Sequence, residues 1–384
     1  MRLLHSGDWH LGRTLHGANL LEDQAYLLAQ VVDLARHEKP DAVIVAGDVY
    51  DRAVPPAEAV KLLDDTLCRL VLGLKVPVIV IAGNHDGADR LAFGSRLLDK
   101  GGLYILGQPS LSPACIVLGD DHGPVYLYGI PYAEPAVVRH LAQDPNLQGH
   151  QGVMRRLVAG IWPQHPKGQR AVLIAHGVVA GATVSESERP LSIGGDVAIE
   201  PAVFKGFHYV ALGHLHHPQS HMKGRLRYCG SLMSYSFSEA GDEKVSVMAE
   251  LDASGKCRTE GVPLSPRYRA RRIEGNLADI LAGAREDSSP EDYIEVSLLD
   301  KGPVFEPMAR LREVYPNALH IERPALTEAP GRDGARPDHR KTGDLEMFQA
   351  FYEHVTGEEL QADQQAAFVG VADEVRRGDR EDAA

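Results

Sequence analysis

Aromatic side chains are scarce in this chain: Phe, Tyr and Trp make up 6% of its 384 residues. A protein that grips single strands by stacking each base on a ring needs more of them, so an aromatic platform is a poor model here. Cysteine is scarcer still. Cys68, Cys115, Cys229 and Cys257 are scattered and include no Cys-x-x-Cys pair. That argues against a disulfide framework or a thiolate zinc site and suits a reducing cytosol. No apolar run has the length that spans a bilayer. Met1-Arg2-Leu3-Leu4 passes straight into a strand, so no signal peptide is expected. There is no Gly-x-x-x-x-Gly-Lys-Ser/Thr loop, so ATP is not expected to bind this chain. Positive charge is also lacking. The net charge of −13 argues against a free-standing DNA-binding surface. It is unevenly spread, however. Residues 344–384 hold eleven acidic and three basic side chains, and the total of −13 less this −8 leaves −5 for the rest. Bound divalent cations would offset part of that locally. The expectation is a soluble, intracellular protein without internal repeats.

What is present is an alternation of apolar runs and amphipathic stretches. Residues 2–6, 42–46 and 76–82 read as buried strands, separated by a helical stripe at Leu21, Ala25, Leu28, Val32 and Ala35 and a second at Val60, Leu63, Leu67 and Leu70. Strand–helix–strand–helix–strand implies parallel pairing by right-handed crossovers. Shorter strands are expected at 103–106, 114–118 and 125–130, helices near 134–142 and 151–161, and further strands at 171–175, 209–212 and 245–251. A polar insertion, 180–199, interrupts them. A run of arginines after Pro266 marks a boundary, beyond which 275–322 reads as a small α+β unit. The expected division is 1–265, 266–326, a flexible linker at 327–343 rich in Gly and Pro, and a helical tail at 344–376 with Leu345, Phe348, Tyr352 and Val355 on one stripe.

Each long apolar run ends in polar residues: Asp8 and His10, Asp48, Asn84 and His85, His176, His214 and His216. In α/β sheets reactive groups gather at the carboxyl ends of strands. Carboxylate, amide carbonyl and imidazole suit Mn²⁺, Fe²⁺ or Zn²⁺. In extended chain, residues two apart point the same way, so Asp8 and His10 can reach one ion together, as can His214 and His216, or each can serve one of two ions. A carboxylate can bridge cations about 3.5–4 Å apart, and Asp48 is the central candidate. Gly83 is expected to allow a tight turn, and Asp86 to cap or orient its neighbours. His5, His16, His122, His165, His208, His217 and His221 lack this pattern and are read as structural or surface residues.

Asp-x-His, Gly-Asp-x-x-Asp, Gly-Asn-His-Asp, His-Gly and Gly-His-x-His, in this order, resemble the motifs of the calcineurin-like metallophosphoesterases. More narrowly, Ser6-Gly7-Asp8-Trp9-His10-Leu11-Gly12-Arg13, Arg90-Leu91-Ala92-Phe93, Glu188-Arg189-Pro190-Leu191 and Tyr235-Ser236-Phe237-Ser238-Glu239 are similar to the SbcD-type nuclease subunits, relatives of the meiotic-recombination nucleases. The resemblance covers residues 1 to about 322. It implies an α/β fold: a two-sheet metallophosphoesterase sandwich flanked by helices, with a small α+β C-terminal domain and a helical tail. It also implies two Mn²⁺, with Mg²⁺ or Fe²⁺ as substitutes. One would be held by Asp8, His10, Asp48 and His216, the other by Asp48, Asn84, His176 and His214. His85 would stand outside the ligands and assist the leaving oxygen. Some relatives carry histidine where this chain has Asp51, and the carboxylate here would orient His85 or a water.

By the same resemblance the substrate is double-stranded, single-stranded or hairpin DNA. The partner is an SbcC-type coiled-coil ATPase, in a heterotetramer containing a homodimer, in the bacterial cytoplasm at the nucleoid. Arg13, His16, Arg52, Arg90, Arg96 and Arg189 follow the motifs and are candidates for phosphate contacts, and the 180–199 insertion for a wall of the site. The tail stripe fits helix-in-groove docking on the partner. Fold and metals alone do not choose the substrate. A small-molecule or protein phosphoesterase with the same centre, and a non-catalytic scaffold, remain alternatives.

Overall fold

Along the central strands of the computed structural model, side chains alternate between two interiors. In the Arg170–His176 strand, Val172 and Ile174 enter one apolar cluster while Leu173 and Ala175 enter another. A strand buried on both faces reads as a continuous apolar run, which is why Ala42–Val45, Val78–Ile81 and Arg170–His176 stand out in the sequence. The structure describes residues 1–188, 191, 197–300, 302 and 304–324, and in the tail 345, 348, 349, 352, 353, 356, 357, 359–369 and 371. Two compact units divide the chain, Met1–Arg271 and Arg272–Ala384.

The first unit holds two six-stranded sheets. In one, Arg2–Ser6, Ala42–Val45, Val78–Ile81 and Leu103–Leu106 pair in parallel, and Val245–Leu251 returns antiparallel beside Arg2–Ser6. In the other, Gly123–Ile130, Arg170–His176, Tyr209–Gly213 and Leu226–Tyr228 are parallel. Leu3, Ile44, Ile79 and Ile81 of the first sheet share a cluster with Leu127, Val172, Ile174 and Tyr209 of the second, so the sheets pack face to face. The Gly149–Ala159 helix covers the outer face of the second sheet with Val153, Met154, Leu157 and Val158. The Leu21–Glu38 helix buries Leu27, Leu28, Val31 and Val32. At one point the strand ends of the two sheets nearly touch. A Cβ on Gly213 would lie 1.9 Å from the Ala46 carbonyl oxygen, so only glycine fits there.

One ion pair ties the edge of the second sheet to its interior. Arg170, 4% exposed, donates from Nη1 to Asp120 Oδ2 at 2.8 Å and from Nη2 to Asp120 Oδ1 at 2.5 Å. These bonds hold the Asp120 carboxyl well below its ordinary value of 3.8. A carboxyl depressed in the folded state stabilises it above the unfolded pKa, and the benefit is lost as pH falls. Asp120→Asn is therefore expected to cost about 2 kcal/mol at pH 7. In urea unfolding, the gap between wild type and variant should be constant above about pH 5 and narrow progressively below it.

In the second unit, Tyr293–Leu298 and Ala318–Glu322 form a parallel pair. The helices Leu277–Gly283 and Pro307–Arg312 pack Leu277, Ile280 and Leu311 against Ile294, Val296 and Leu298. In the tail, the rings of Phe348 and Phe368 stack at 4.1 Å, and Gln364 donates to the Tyr352 hydroxyl at 3.0 Å. Phe348 of the expected stripe thus packs against Phe368 further along the tail. The expected linker 327–343 and Val355 lie outside the described residues.

Candidate metal centre

Both sheets deliver residues to one buried cluster. The first contributes Asp8, His10, Asp48, Asn84 and His85 from the loops that follow three of its strands. The second contributes His176 from a strand terminus, and His214 and His216 from the loop after Tyr209–Gly213. Backbone geometry aims them. Asp8, His10, Asp48 and His214 have φ of 49°, 45°, 46° and 108°. Such positive values are costly for residues with a Cβ and gather where a site over-determines them. The turns are pinned by the Asp8 amide donating to the Gly47 carbonyl at 3.0 Å and the His10 amide to the Asp48 carbonyl at 2.9 Å.

Asp48 is the hub. Its Oδ2 lies 3.7 Å from His10 Nε2 and 3.4 Å from His176 Nε2. Asn84 Oδ1 lies 3.0 Å from His176 Nε2 and 2.9 Å from His214 Nδ1, and His216 Nε2 lies 3.0 Å from His10 Nε2. Two groups of potential ligand atoms, Asp8–His10–Asp48 and Asp48–His176–His214, each fall within 4.8 Å and share Asp48. The donor set fits divalent cations on a further count: His10 Nδ1 is buried with no hydrogen-bond partner, and His176 Nδ1 donates to the Ala46 carbonyl at 2.9 Å, which turns Nε2 into the cluster.

Charge in this cluster is sorted by burial and by neighbours. Burial, opposed by His176, pushes Asp8 well above the usual carboxylate range. Asp48 feels the same burial, but His176 by charge and hydrogen bond, with His10 and His85, together outweigh it and hold its carboxyl well below that range. Burial also lowers the imidazoles of His10 and His214, the latter to about 3. His176 resists burial because of Asp48 and rises to about 9. His10 and His214 are thus neutral beside an ionised Asp48, the forms a divalent cation takes, and binding there would release the proton that His176 holds.

Family comparisons agree with this geometry. The calcineurin-like phosphoesterase model matches residues 1–218, more than half of the chain. The chain belongs to the calcineurin-like phosphoesterase family. A second model, SbcD_C, described as the type 5 capsule protein repressor C-terminal domain, matches residues 269–356. The two together are the domains of an SbcD-type protein. Among solved structures the chain is similar to a dimetal phosphatase from Danio rerio, at 14% identity and a TM-score of 0.39, covering 69% of this chain and 99% of that one. It is likewise similar to the protein TT1561 of Thermus thermophilus, at 15% identity and a TM-score of 0.39, covering 68% and 98%. The family makes this chain a metal-dependent phosphoester hydrolase.

In this phosphoesterase His85 stands at the edge of the cluster, 6% exposed, its ring centroid 4.6 Å from that of His10. Its amide donates to Asp48 Oδ1 at 2.8 Å, and its ring Nδ1 lies 2.8 Å from the Asp51 carbonyl oxygen. The ring of His85 thus meets the backbone of Asp51; its carboxylate, expected from the sequence to orient His85 or a water, makes no hydrogen bond to that ring. That carboxylate is 3.8 Å from His10 Nδ1 and 3.4 Å from Arg13 Nη1. Asp86 caps, as expected: it accepts the amides of Val49, Tyr50 and Gly83. Burial, with help from Asp48, raises its carboxyl to about 7. Gly83 is needed for a different reason than a tight turn. A Cβ there would lie 2.2 Å from Asp48 Oδ1.

The candidate phosphate contacts fare unevenly. Arg13 is engaged inside the protein: Nη2 donates to the Ser187 carbonyl at 3.0 Å and the guanidinium lies 5.2 Å from the centre of the Tyr235 ring. His16 sits 5.5 Å from the Phe237 ring. Arg90 donates to the Ala53 carbonyl. Arg52 and Arg96 are exposed, and Arg189 lies outside the described residues. Leu345, Phe348 and Tyr352 are half-buried. The structure adds residues that strand-end reasoning passes over. Gln24 is fully buried and donates to the His10 carbonyl at 2.8 Å while accepting from the Gly12 amide at 3.0 Å, so it holds the loop that carries His10. Glu239 and Lys244 form a buried pair behind His216. Glu239 ends the Tyr-Ser-Phe-Ser-Glu segment, which was the available signal.

No described helix is long and apolar enough to cross a membrane.

Proposed function

We propose that this phosphoesterase is a Mn²⁺-dependent DNA nuclease and the nuclease half of a complex with an SbcC-type coiled-coil ATPase. The observation that carries the reading is the SbcD_C match at 269–356, joined to a phosphoesterase unit whose strand ends bring all seven candidate ligands together. Asp8, His10, Asp48 and His216 would hold one cation, and Asp48, Asn84, His176 and His214 the other. Bound there, the cations supply Lewis-acid stabilisation of the charge that develops on the phosphoryl oxygens. The chain's own residues do the rest. The Asp51 carbonyl accepts a hydrogen bond from Nδ1–H of His85, so Nε2 is the nitrogen that serves the leaving oxygen. Asp48 positions the His85 backbone through the amide bond, so cluster and proton donor move as one.

The proposed division is a nuclease domain at 1–265, a small DNA-binding or capping domain at 266–326, a linker at 327–343 and a partner-docking tail at 344–376. Arg52 and Arg96, exposed after their motifs, are candidates for phosphate contacts. The activities that follow are 3′→5′ exonuclease action on double-stranded ends, endonuclease cutting of single strands and hairpin opening, by a homodimer within a heterotetramer at the nucleoid. End-labelled hairpin DNA incubated with the protein and Mn²⁺ should be cut, and faster with the coiled-coil ATPase and ATP. Hydrolysis of nucleotides or phosphopeptides with intact hairpin DNA would instead assign a small-molecule or protein phosphoesterase.

A further inference from the structure

One flank of the cluster is not used by the proposed reaction. Nδ1 of His216 lies 2.6 Å from Ser187 Oγ. Ser187 donates to Glu239 Oε1, and Lys244 Nζ donates to Glu239 Oε2 at 2.5 Å. All four side chains are buried. Counting protons fixes the direction of the chain of bonds. A serine hydroxyl has one hydrogen. Glu239, paired with a buried ammonium, is a carboxylate and only accepts. Ser187 gives its hydrogen to Glu239 and must then accept from His216. So Nδ1 of His216 carries the imidazole proton, and Nε2 keeps its lone pair toward His10 Nε2, 3.0 Å away.

The segment that carries Ser187 is fastened twice more, once to the His216 loop and once to the loop that carries His10. The His216 amide donates to Glu188 Oε1 at 2.7 Å, and Arg13, three residues beyond His10, holds the Ser187 carbonyl at 3.0 Å. His176 is oriented differently. Its Nδ1 donates to the Ala46 carbonyl at the end of a first-sheet strand, without recourse to this segment. His176 is thus set by strand backbone, and His216 by residues 185–188 within the 180–199 insertion.

We propose that Ser187 and Glu239 are positioning residues that fix the tautomer and ring angle of His216, so that segment 185–188 governs divalent-cation affinity at the His10/His216 position alone. This rests on the two-cation reading above. Outer partners of metal-ligating histidines typically change affinity by about 10–100-fold when removed. Titration of the full chain with Mn²⁺, followed by the electron paramagnetic resonance of the free ion, should show two ions bound by the wild type. Ser187→Ala should weaken one of them by about 10–100-fold and leave the other unchanged, and Ser187→Thr, which keeps the hydroxyl, should restore it. Nitrogen-15 NMR of labelled histidine should show His216 protonated at Nδ1 in the metal-free wild type and a tautomer mixture in Ser187→Ala. Two wild-type affinities in Ser187→Ala, or equal weakening of both, would overturn the proposal, as would an unchanged tautomer. A wild-type chain that takes up no Mn²⁺ would overturn the two-cation reading itself.

Discussion

His85→Gln is expected to slow phosphodiester cleavage by about 10²–10⁴-fold, the usual worth of general-acid assistance, while Mn²⁺ binding stays as in the wild type. The division follows from where His85 meets the cluster. Its backbone amide, which the substitution keeps, donates to Asp48. Its ring Nδ1 meets the Asp51 carbonyl, and the ring stands edge to face with that of His10. Glutamine can still donate to that carbonyl, so the loop should keep its shape, but it cannot hand a proton to a leaving oxygen. The check pairs single-turnover cleavage of end-labelled DNA with Mn²⁺ titration. Cleavage at the wild-type rate would take His85 out of the chemistry. Lost Mn²⁺ binding would move it among the ligands.

Lys244→Met should have the largest effect on stability, about 3–5 kcal/mol. Lys244 is 4% exposed and Glu239 is fully buried. Besides Glu239, the ammonium serves the His216 carbonyl at 3.0 Å and Ser231 Oγ at 3.1 Å. Methionine fills the same space but leaves a carboxylate in the interior without a counter-charge. The loss should be read in denaturant unfolding with Glu239→Gln/Lys244→Met measured beside it, because replacing both partners removes the uncompensated charge and should recover much of the stability. If the double variant is as unstable as Lys244→Met, packing and not charge explains the loss.

The fold was legible where strands are buried on both faces. Runs such as Val78–Ile81 have no polar residue to interrupt them, so strand and interior are read together. The cluster was legible because each candidate follows such a run by a few residues, and parallel pairing carries those ends to one side. Other features have no local signature. Arg13 looks like a free cation beside its motif, yet its partners Ser187 and Tyr235 are distant in sequence and only the folded chain brings them in. Gln24 lies on a helix face where a polar residue reads as solvated, but its amide closes the loop around His10. The role of Asp51 turned on backbone geometry: the carbonyl points at His85, and no side-chain pattern encodes that. Gly83 read as a turn residue, whereas its lack of a side chain makes room for Asp48 from the neighbouring strand end.

The pairing of His10 with His216 spans 206 positions, and this bears on how the protein is made. Contacts so far apart pay their loop-closure entropy late, and folds built on them assemble slowly. A nascent chain that has emerged only to residue 200 lacks His214 and His216, along with the Tyr209–Gly213 strand that presents them. It holds the first-sheet ligands and His176 but not the two imidazoles, His214 and His216, that complete the cluster. With the ligand set proposed above, hydrolytic competence is expected only after most of the first unit has left the ribosome.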